Sequence, residues 1–297
     1  MIGEDPYPSR RGGEAVVKPR RDPVLHGKTG DRTPGLLGAE ALSHYEECGL
    51  LRLEGLLGQD ESNRLAAEAE DLLHTRRDDA SPKVVREPGG DEIRSIFEVH
   101  EDSAVVRDLV KASKLSEVVR QILGGPIYVH QSRINYKPAF HGQPFHWHSD
   151  FETWHVEDGM PRMRALSASI GLTPNRNDNG PLLLIPGSHR YYVSCPGVTP
   201  EAHWERSLRR QEAGIPPEPI VRALAEGGAI ESATGPPGSV TLFDCNVMHG
   251  SNGNITPFPR TNLFLVFNRV DNALGPPYSG QPPRPQHVAN RRPEPLP

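Results

Sequence analysis

The chain predicts an α+β fold with a β-sandwich or barrel core, on three observations. Helical apolar spacing dominates before Ile127, and short apolar runs broken by turns dominate after it. Glycine and proline, 29 and 31 of 297 residues, make up about a fifth of the chain, against an average of roughly 12%. That density of turn formers suits many short strands.

Residues 1–36 are charged, rich in Pro and Gly and without period, and read as a flexible or loosely packed arm. The remainder, 37–297, reads as a single domain. Ala39 to Cys48 is expected to be helical, and Leu50 to Leu57 extended. Leu65, Ala66, Ala69, Leu72 and Leu73 recur at helical spacing within Glu61 to Arg76. Arg77 to Gly90 should be a loop, Ile93 to Val99 a strand and Ser103 to Leu123 one or two helices. The strands expected next are 127–137, 145–150, 164–173, 182–185, 230–233, 239–243 and 261–268. A polar stretch with helices, about 199–226, interrupts them. The Gly- and Pro-rich C-terminal end reads as a second loose tail.

Net charge is −5, which disfavours nucleic acid or an anionic membrane as main partner. No apolar run reaches the roughly 18 residues of a membrane span, and the N-terminus lacks a signal-peptide core. Three scattered cysteines, Cys48, Cys195 and Cys245, fit a reducing, cytoplasmic setting.

The densest chemistry lies in Phe145 to Trp154, Phe-His-Trp-His-Ser-Asp-Phe-Glu-Thr-Trp. If this segment is extended, His148 and Asp150 project to one side. With a distant second histidine they would form the triad that holds non-haem iron(II) and leaves coordination positions open. Taken singly, each of the 13 histidines is more simply a surface or core residue. His249 supplies the missing ligand if it comes across from the opposite sheet. Arg260 follows it by eleven residues; in 2-oxoglutarate-dependent oxygenases a basic residue about ten or more positions after the distal histidine binds the far carboxylate, and the rigid guanidinium fork suits a carboxylate. Ser251 could donate to the same group. His146, His148 and His249 could instead hold zinc, and spacing leaves that open. In 127–137, Gln131, Arg133, Asn135 and Lys137 share one face, which either meets solvent or lines a cavity.

The run from Phe145 to Pro161 resembles the signature of the ectoine hydroxylase family, within the phytanoyl-CoA dioxygenase-like superfamily. His130-Gln-Ser-Arg-Ile-Asn-Tyr-Lys137, Asn179-Gly-Pro-Leu, Ile185-Pro-Gly-Ser-His189 and Asn262-Leu-Phe-Leu-Val-Phe carry the same resemblance. It implies a double-stranded β-helix (jelly-roll, cupin-like) core with flanking helices, as a homodimer. It implies hydroxylation of L-ectoine to 5-hydroxyectoine with 2-oxoglutarate and O2, releasing succinate and CO2. By motif, His148, Asp150 and His249 would hold Fe(II), and Lys137, Arg260 and Ser251 would hold 2-oxoglutarate. Gln131 and Trp154 would meet ectoine, with Phe243 and Phe264 as apolar walls and Thr153 and Arg284 as further contacts. Alternatives are the same chemistry on another small metabolite, a zinc or manganese cupin-like enzyme, and a non-catalytic jelly-roll binding protein.

Overall fold

The computed structural model describes residues 5–27, 35–111 and 113–297. Its first strands are β1 (Val17–Pro19), β2 (Leu50–Leu53), β3 (Val84–Arg86), β4 (Ile93–Phe97), β5 (Ile127–Lys137), β6 (Phe145–His148) and β7 (Ala165–Gly171). After them come β8 (Leu182–Leu184), β9 (Tyr191–Val193), β10 (Glu231–Ser232), β11 (Val240–Asp244), β12 (His249–Ser251) and β13 (Arg260–Arg269). The helices are α1 (Ala39–Cys48), α2 (Gln59–Thr75), α3 (Val99–Asp102), α4 (Ala104–Lys111), α5 (Lys114–Leu123), α6 (Asp150–Thr153), α7 (His203–Ser207) and α8 (Glu218–Gly228).

A seven-stranded sheet runs β2-β11-β7-β13-β5-β4-β3, and a four-stranded sheet runs β10-β8-β12-β6. All these pairings are antiparallel. The two sheets form a double-stranded β-helix with flanking helices, as the resemblance implied.

Strand alternation sorts the large sheet into two faces. Leu263, Leu265 and Phe267 of β13, Ile134 of β5 and Ala168 of β7 join one apolar cluster with Leu65 and Leu72 of α2, Val106 of α4 and Val118 and Ile122 of α5. Helix α5 shows why it docks there: Leu115, Val118, Val119, Ile122 and Leu123 are all buried, the i, i+3, i+4, i+7, i+8 stripe of an amphipathic helix. Each such side chain contributes about 1.5–3 kcal/mol on burial. The opposite face of β13, which carries Arg260 and Phe264, looks into the barrel.

In β5 the polar parity faces inward, not to solvent: ten of its eleven residues are buried, Arg133 alone being intermediate. A bulge explains how one strand serves both faces. Gln131 pairs with Val266 but Val129 with Phe267, so His130 is an extra residue and the parity flips. Ile127 and Val129 thereby join the helix-side core, while Gln131, Arg133, Asn135 and Lys137 are turned inward.

Several boundaries differ from expectation. β2 stops at Leu53 and β10 has only two residues. β3 lies within the expected loop 77–90, because it can pair with β4. The interruption at 199–226 contains α7, and α8 extends beyond it to Gly228.

Both chain ends depart from the looseness that their composition suggests. Residues 1–4 and 28–34 of the expected arm lie outside the described residues. The part between is packed: β1 pairs with β9, Tyr7 is buried, and Arg20 forms a 2.7 Å ion pair with Asp244. At the other end Val288 and Ala289 are fully buried, and the Leu296 amide donates to the Ile127 carbonyl at 2.8 Å. No helix among the described residues is long and apolar enough to cross a membrane.

Candidate metal centre

β12 lies between β8 and β6, and its ladder places His249 directly opposite His148. The distal histidine therefore arrives from the neighbouring strand of the same sheet, not from the opposite sheet as expected. Asp150 also arrives differently. β6 ends at His148 and Asp150 is the first residue of α6, so the alternation of an extended segment does not bring the two together. A tight turn does. The Phe151 amide donates to the Cys245 carbonyl at 2.8 Å, and Ser149 Oγ donates to Asn246 Oδ1 at 3.0 Å. These bonds tie the β6–α6 turn to the β11–β12 turn.

Asp150 Oδ1 lies 3.6 Å from His148 Nε2, and Oδ2 lies 3.8 Å from His249 Nε2. One donor atom from each residue falls within 4.8 Å of the others, and among the described residues this is the one such set of three. Both imidazoles are aimed by main-chain carbonyls: His148 Nδ1 donates to His146 O at 2.7 Å and His249 Nδ1 to Val247 O at 3.0 Å. A carbonyl only accepts, so Nδ1 carries the proton and Nε2 presents its lone pair. Burial, with His148 beside it, pushes His249 down to about 4, which keeps it in the neutral form a metal needs. Burial alone would raise Asp150, but His249, His148 and Arg133 overcome it and hold the carboxyl well below its ordinary range. One anionic oxygen donor and two neutral nitrogens suit a divalent transition metal.

The rivals within the same stretch fall elsewhere. The His146 side chain is exposed and outside the donor set; only its carbonyl serves the site. Glu152 points to Arg10. His155 is held by Met160 O and Asp5 Oδ1, both at 2.8 Å, and stacks on Tyr278.

On one side of the triad stand three polar groups, two of them ladder partners and the third hydrogen-bonded to one of these from the other sheet. Arg260 pairs with Lys137 across the β13–β5 ladder, and Lys137 Nζ donates to Ser251 Oγ at 2.9 Å. Lys137 also donates to the carbonyls of Asn252 at 2.5 Å and Gln143 at 3.1 Å. Burial, with Arg260 and Arg94 nearby, pushes Lys137 down to about 6 and burial pushes Arg260 to about 10. Arg260 is 2% exposed, yet its Nε and Nη1 have no hydrogen-bond partner among the described residues. Orphaned buried donors are costly, and a carboxylate is the group that would satisfy a guanidinium fork. Gly180 leaves the room: a Cβ there would lie 2.7 Å from Lys137 Cδ and 2.6 Å from the Asn252 carbonyl, which accounts for glycine in Asn179-Gly-Pro-Leu.

On the other side a cavity of about 100 Å³ reaches His148 and Asp150 and is lined by Gln131, Thr153, Trp154 and Arg284. A larger depression of about 1470 Å³, over α2 and the β3–β4 turn, includes Lys137 but none of the triad. Trp154 opens a π turn, Trp154–Asp158, an irregularity common at functional sites. Arg284 grips Asp158 with bonds of 2.7 and 2.6 Å. Gln131 Nε2 donates to Val288 O at 2.6 Å and its Oε1 accepts from Arg133. Phe243 sits 5.0 Å from the His249 ring and Phe264 5.2 Å beneath Arg133. Both belong to one apolar cluster with Leu182, Leu184 and Val247, beside the cavity rather than among its lining residues.

Sequence reasoning gave no role to Arg94, Arg133 or Glu157, which also line the cavity. Arg133 had a signal, since it shares the inward parity of Gln131 and Lys137. Arg94 and Glu157 had none; only packing brings them in.

Residues 45–262 match the family described as phytanoyl-CoA dioxygenase (PhyH). The chain is 48% identical over 293 residues to the ectoine dioxygenase of Bordetella bronchiseptica, covering 97% of this chain and 93% of the relative. EctD from S. alaskensis with 2-oxoglutarate and 5-hydroxyectoine superposes with a TM-score of 0.86 at 46% identity, covering 97% of this chain and 95% of that one. The same protein with bound Fe gives 0.87 at 45% identity, covering 99% and 97%.

Proposed function

We propose the following function for a chain that belongs to the phytanoyl-CoA dioxygenase family and, within it, to the ectoine dioxygenases. It hydroxylates L-ectoine to 5-hydroxyectoine, using Fe(II), 2-oxoglutarate and O2 and releasing succinate and CO2. The observation that carries this reading is a ligand triad set between an unsatisfied buried guanidinium on one side and a small polar–aromatic cavity on the other.

Nε2 of His148, Nε2 of His249 and the Asp150 carboxylate would hold Fe(II), which when bound supplies the activation of O2 and the oxidative chemistry. Arg260 and Lys137, with the Ser251 hydroxyl, would take the far carboxylate of 2-oxoglutarate. His249 and Ser251 lie two positions apart on β12, about 7 Å at strand rise, a span suited to a five-carbon diacid reaching from metal to cation. Gln131, Thr153 and Arg284 would orient the zwitterionic ectoine, and the Trp154 ring suits its delocalised cationic face. Phe243 and Phe264 would keep water from the triad. The oxygenase unit is one domain, 37–297. It works in the cytoplasm, where three free cysteines stay reduced, and as a homodimer.

The test is direct. Purified without oxygen, loaded with Fe(II) and 2-oxoglutarate and then aerated, the protein should convert ectoine to a product 16 mass units heavier, with one succinate per product. Succinate release stimulated by another solute and not by ectoine would transfer the chemistry to a different substrate.

A further inference from the structure

The substrate side of the cleft is braced from behind by residues 5–10, which the chain order places far from it. Asp5 Oδ1 meets His155 Nε2 at 2.8 Å, and Tyr7 packs edge-on against Phe151 with centroids 5.0 Å apart. Ser9 Oγ donates to Glu152 Oε1 at 2.5 Å. Arg10, its side chain 1% exposed, donates to both oxygens of Glu152 at 3.0 and 2.6 Å, to Glu157 Oε1, and to Thr153 Oγ1 at 3.0 Å. All of these partners lie in 151–157, beside Asp150 and among Thr153 and Trp154.

Two physical consequences follow. Glu152, Glu157 and Asp158 are all buried, and Arg284 serves Asp158. Arg10 is the guanidinium that hydrogen-bonds the other two, and removing it would take the closest cation from both, leaving Glu157 the longer 3.9 Å contacts to Arg284 and His203. The second consequence concerns Thr153, which lines the cavity. Its oxygen accepts from Arg10, so its one hydroxyl proton is left for an acceptor elsewhere, such as a substrate carboxylate. Arg10 is also tightly enclosed. A Cβ on Gly214 would lie 2.3 Å from its Nη2, so the loop between α7 and α8 closes over it.

We infer that the N-terminal arm is part of the substrate site and that Arg10 is a positioning residue for ectoine, acting through Thr153 and the turn that carries Trp154. Arg10 does not touch substrate. This rests on the ectoine reading above.

The test uses the full-length chain with Arg10→Lys, which keeps charge but loses the fork, and Arg10→Ala. Ectoine binding to the iron- and 2-oxoglutarate-loaded protein is measured by anaerobic calorimetry, alongside KM for each substrate, succinate formed per hydroxyectoine, and melting temperature. Outer-layer partners of a site act on the scale of about 10- to 100-fold. Both variants should therefore raise the ectoine KM at least about tenfold, leave the 2-oxoglutarate KM within about twofold and release succinate in excess of product. Added guanidinium should restore part of the ectoine affinity of Arg10→Ala. Wild-type affinity and coupling in a folded Arg10→Lys protein would overturn the inference. So would equal losses for both substrates with a lowered melting temperature and no guanidinium rescue, because Arg10 would then serve the fold alone. Failure of Arg10→Ala to fold leaves Arg10→Lys to decide between these outcomes. Wild-type protein that does not bind ectoine would instead overturn the functional reading on which the inference stands.

Discussion

The two flanks of the triad are built by different means. On the cosubstrate side, Lys137 and Arg260 are ladder partners of adjacent strands, and Ser251 lies two residues from His249 on a third. Register sets the Lys137–Arg260 pair, and a hydrogen bond across to the other sheet, from Lys137 Nζ to Ser251 Oγ, adds the third group. On the substrate side, Thr153 and Trp154 belong to a short helix and a π turn. Gln131 is pinned by Val288 and Arg133, and Asp158 is held by Arg284. Arg10 braces the same wall from the opposite chain end. A ladder fixes a constellation with few residues, whereas an irregular wall needs many distant ones.

The largest perturbation should remove what both sides share. His148→Ala takes away a ligand, so iron per chain and turnover should both fall to background; iron retained at full occupancy would break the triad. Next, Arg260→Ala should separate the two sides. Charged hydrogen bonds of about 1.5–3 kcal/mol convert to a roughly 10- to 100-fold higher 2-oxoglutarate requirement, with the ectoine KM little changed. Equal shifts in both constants would show that the flanks are not independent.

Arg284→Gln is the counterpart on the substrate side. It takes the guanidinium from buried Asp158 and leaves it His130 at 3.6 Å, a loss of up to about 3–5 kcal/mol, and should raise the ectoine KM while sparing 2-oxoglutarate. A melting temperature unchanged from wild type would contradict the pairing.

A smaller effect distinguishes the flanks by pH. Lys137, pushed down to about 6 by burial and by Arg260 and Arg94, gives up its charge more readily than an ordinary lysine, and a carboxylate placed beside it favours the charged form. Binding of 2-oxoglutarate must then raise that pKa and take up a proton. From the Lys137 contribution, affinity should weaken as pH rises from about 6 through the neutral range. Calorimetry in buffers of different ionisation enthalpy should show about one proton taken up at pH 8; none taken up would mean that Lys137 is already charged. The smallest effect is expected from His146→Ala. Its side chain is exposed and its carbonyl is retained, so iron content and turnover should stay within about twofold. Loss of iron would bring back the zinc-type reading with three histidines.

Much of this site could be read without coordinates. Phe145–Trp154, His249 and Arg260 announce a metal and a carboxylate through residue type and spacing. The polar parity of β5 marks Gln131, Arg133 and Lys137 as a functional face, because a strand with charge on one side must turn that side either to water or to a ligand. The route was less visible than the destination. His148 and Asp150 meet through a strand-to-helix turn tied to Cys245 and Asn246, and His249 meets His148 as a ladder partner. Those hydrogen bonds span about a hundred residues of chain, and local pattern carries no record of them.

The sequence by itself determined the chemistry: which atoms can ligate a metal, which cation can grip a diacid, and which strands can bury a polar face. These follow from side-chain type and from periods of two or 3.6 residues, which are local properties. Only the tertiary structure decided what the two chain ends do. Rich in Pro and charge, residues 5–27 and 284–297 look loose because nothing within them can form a core. Against the domain, Arg10 finds Glu152 and Glu157, Arg284 finds Asp158, and Val288 and Ala289 are fully buried. Their order comes from partners supplied elsewhere in the fold, and composition cannot see a partner that sequence does not place nearby.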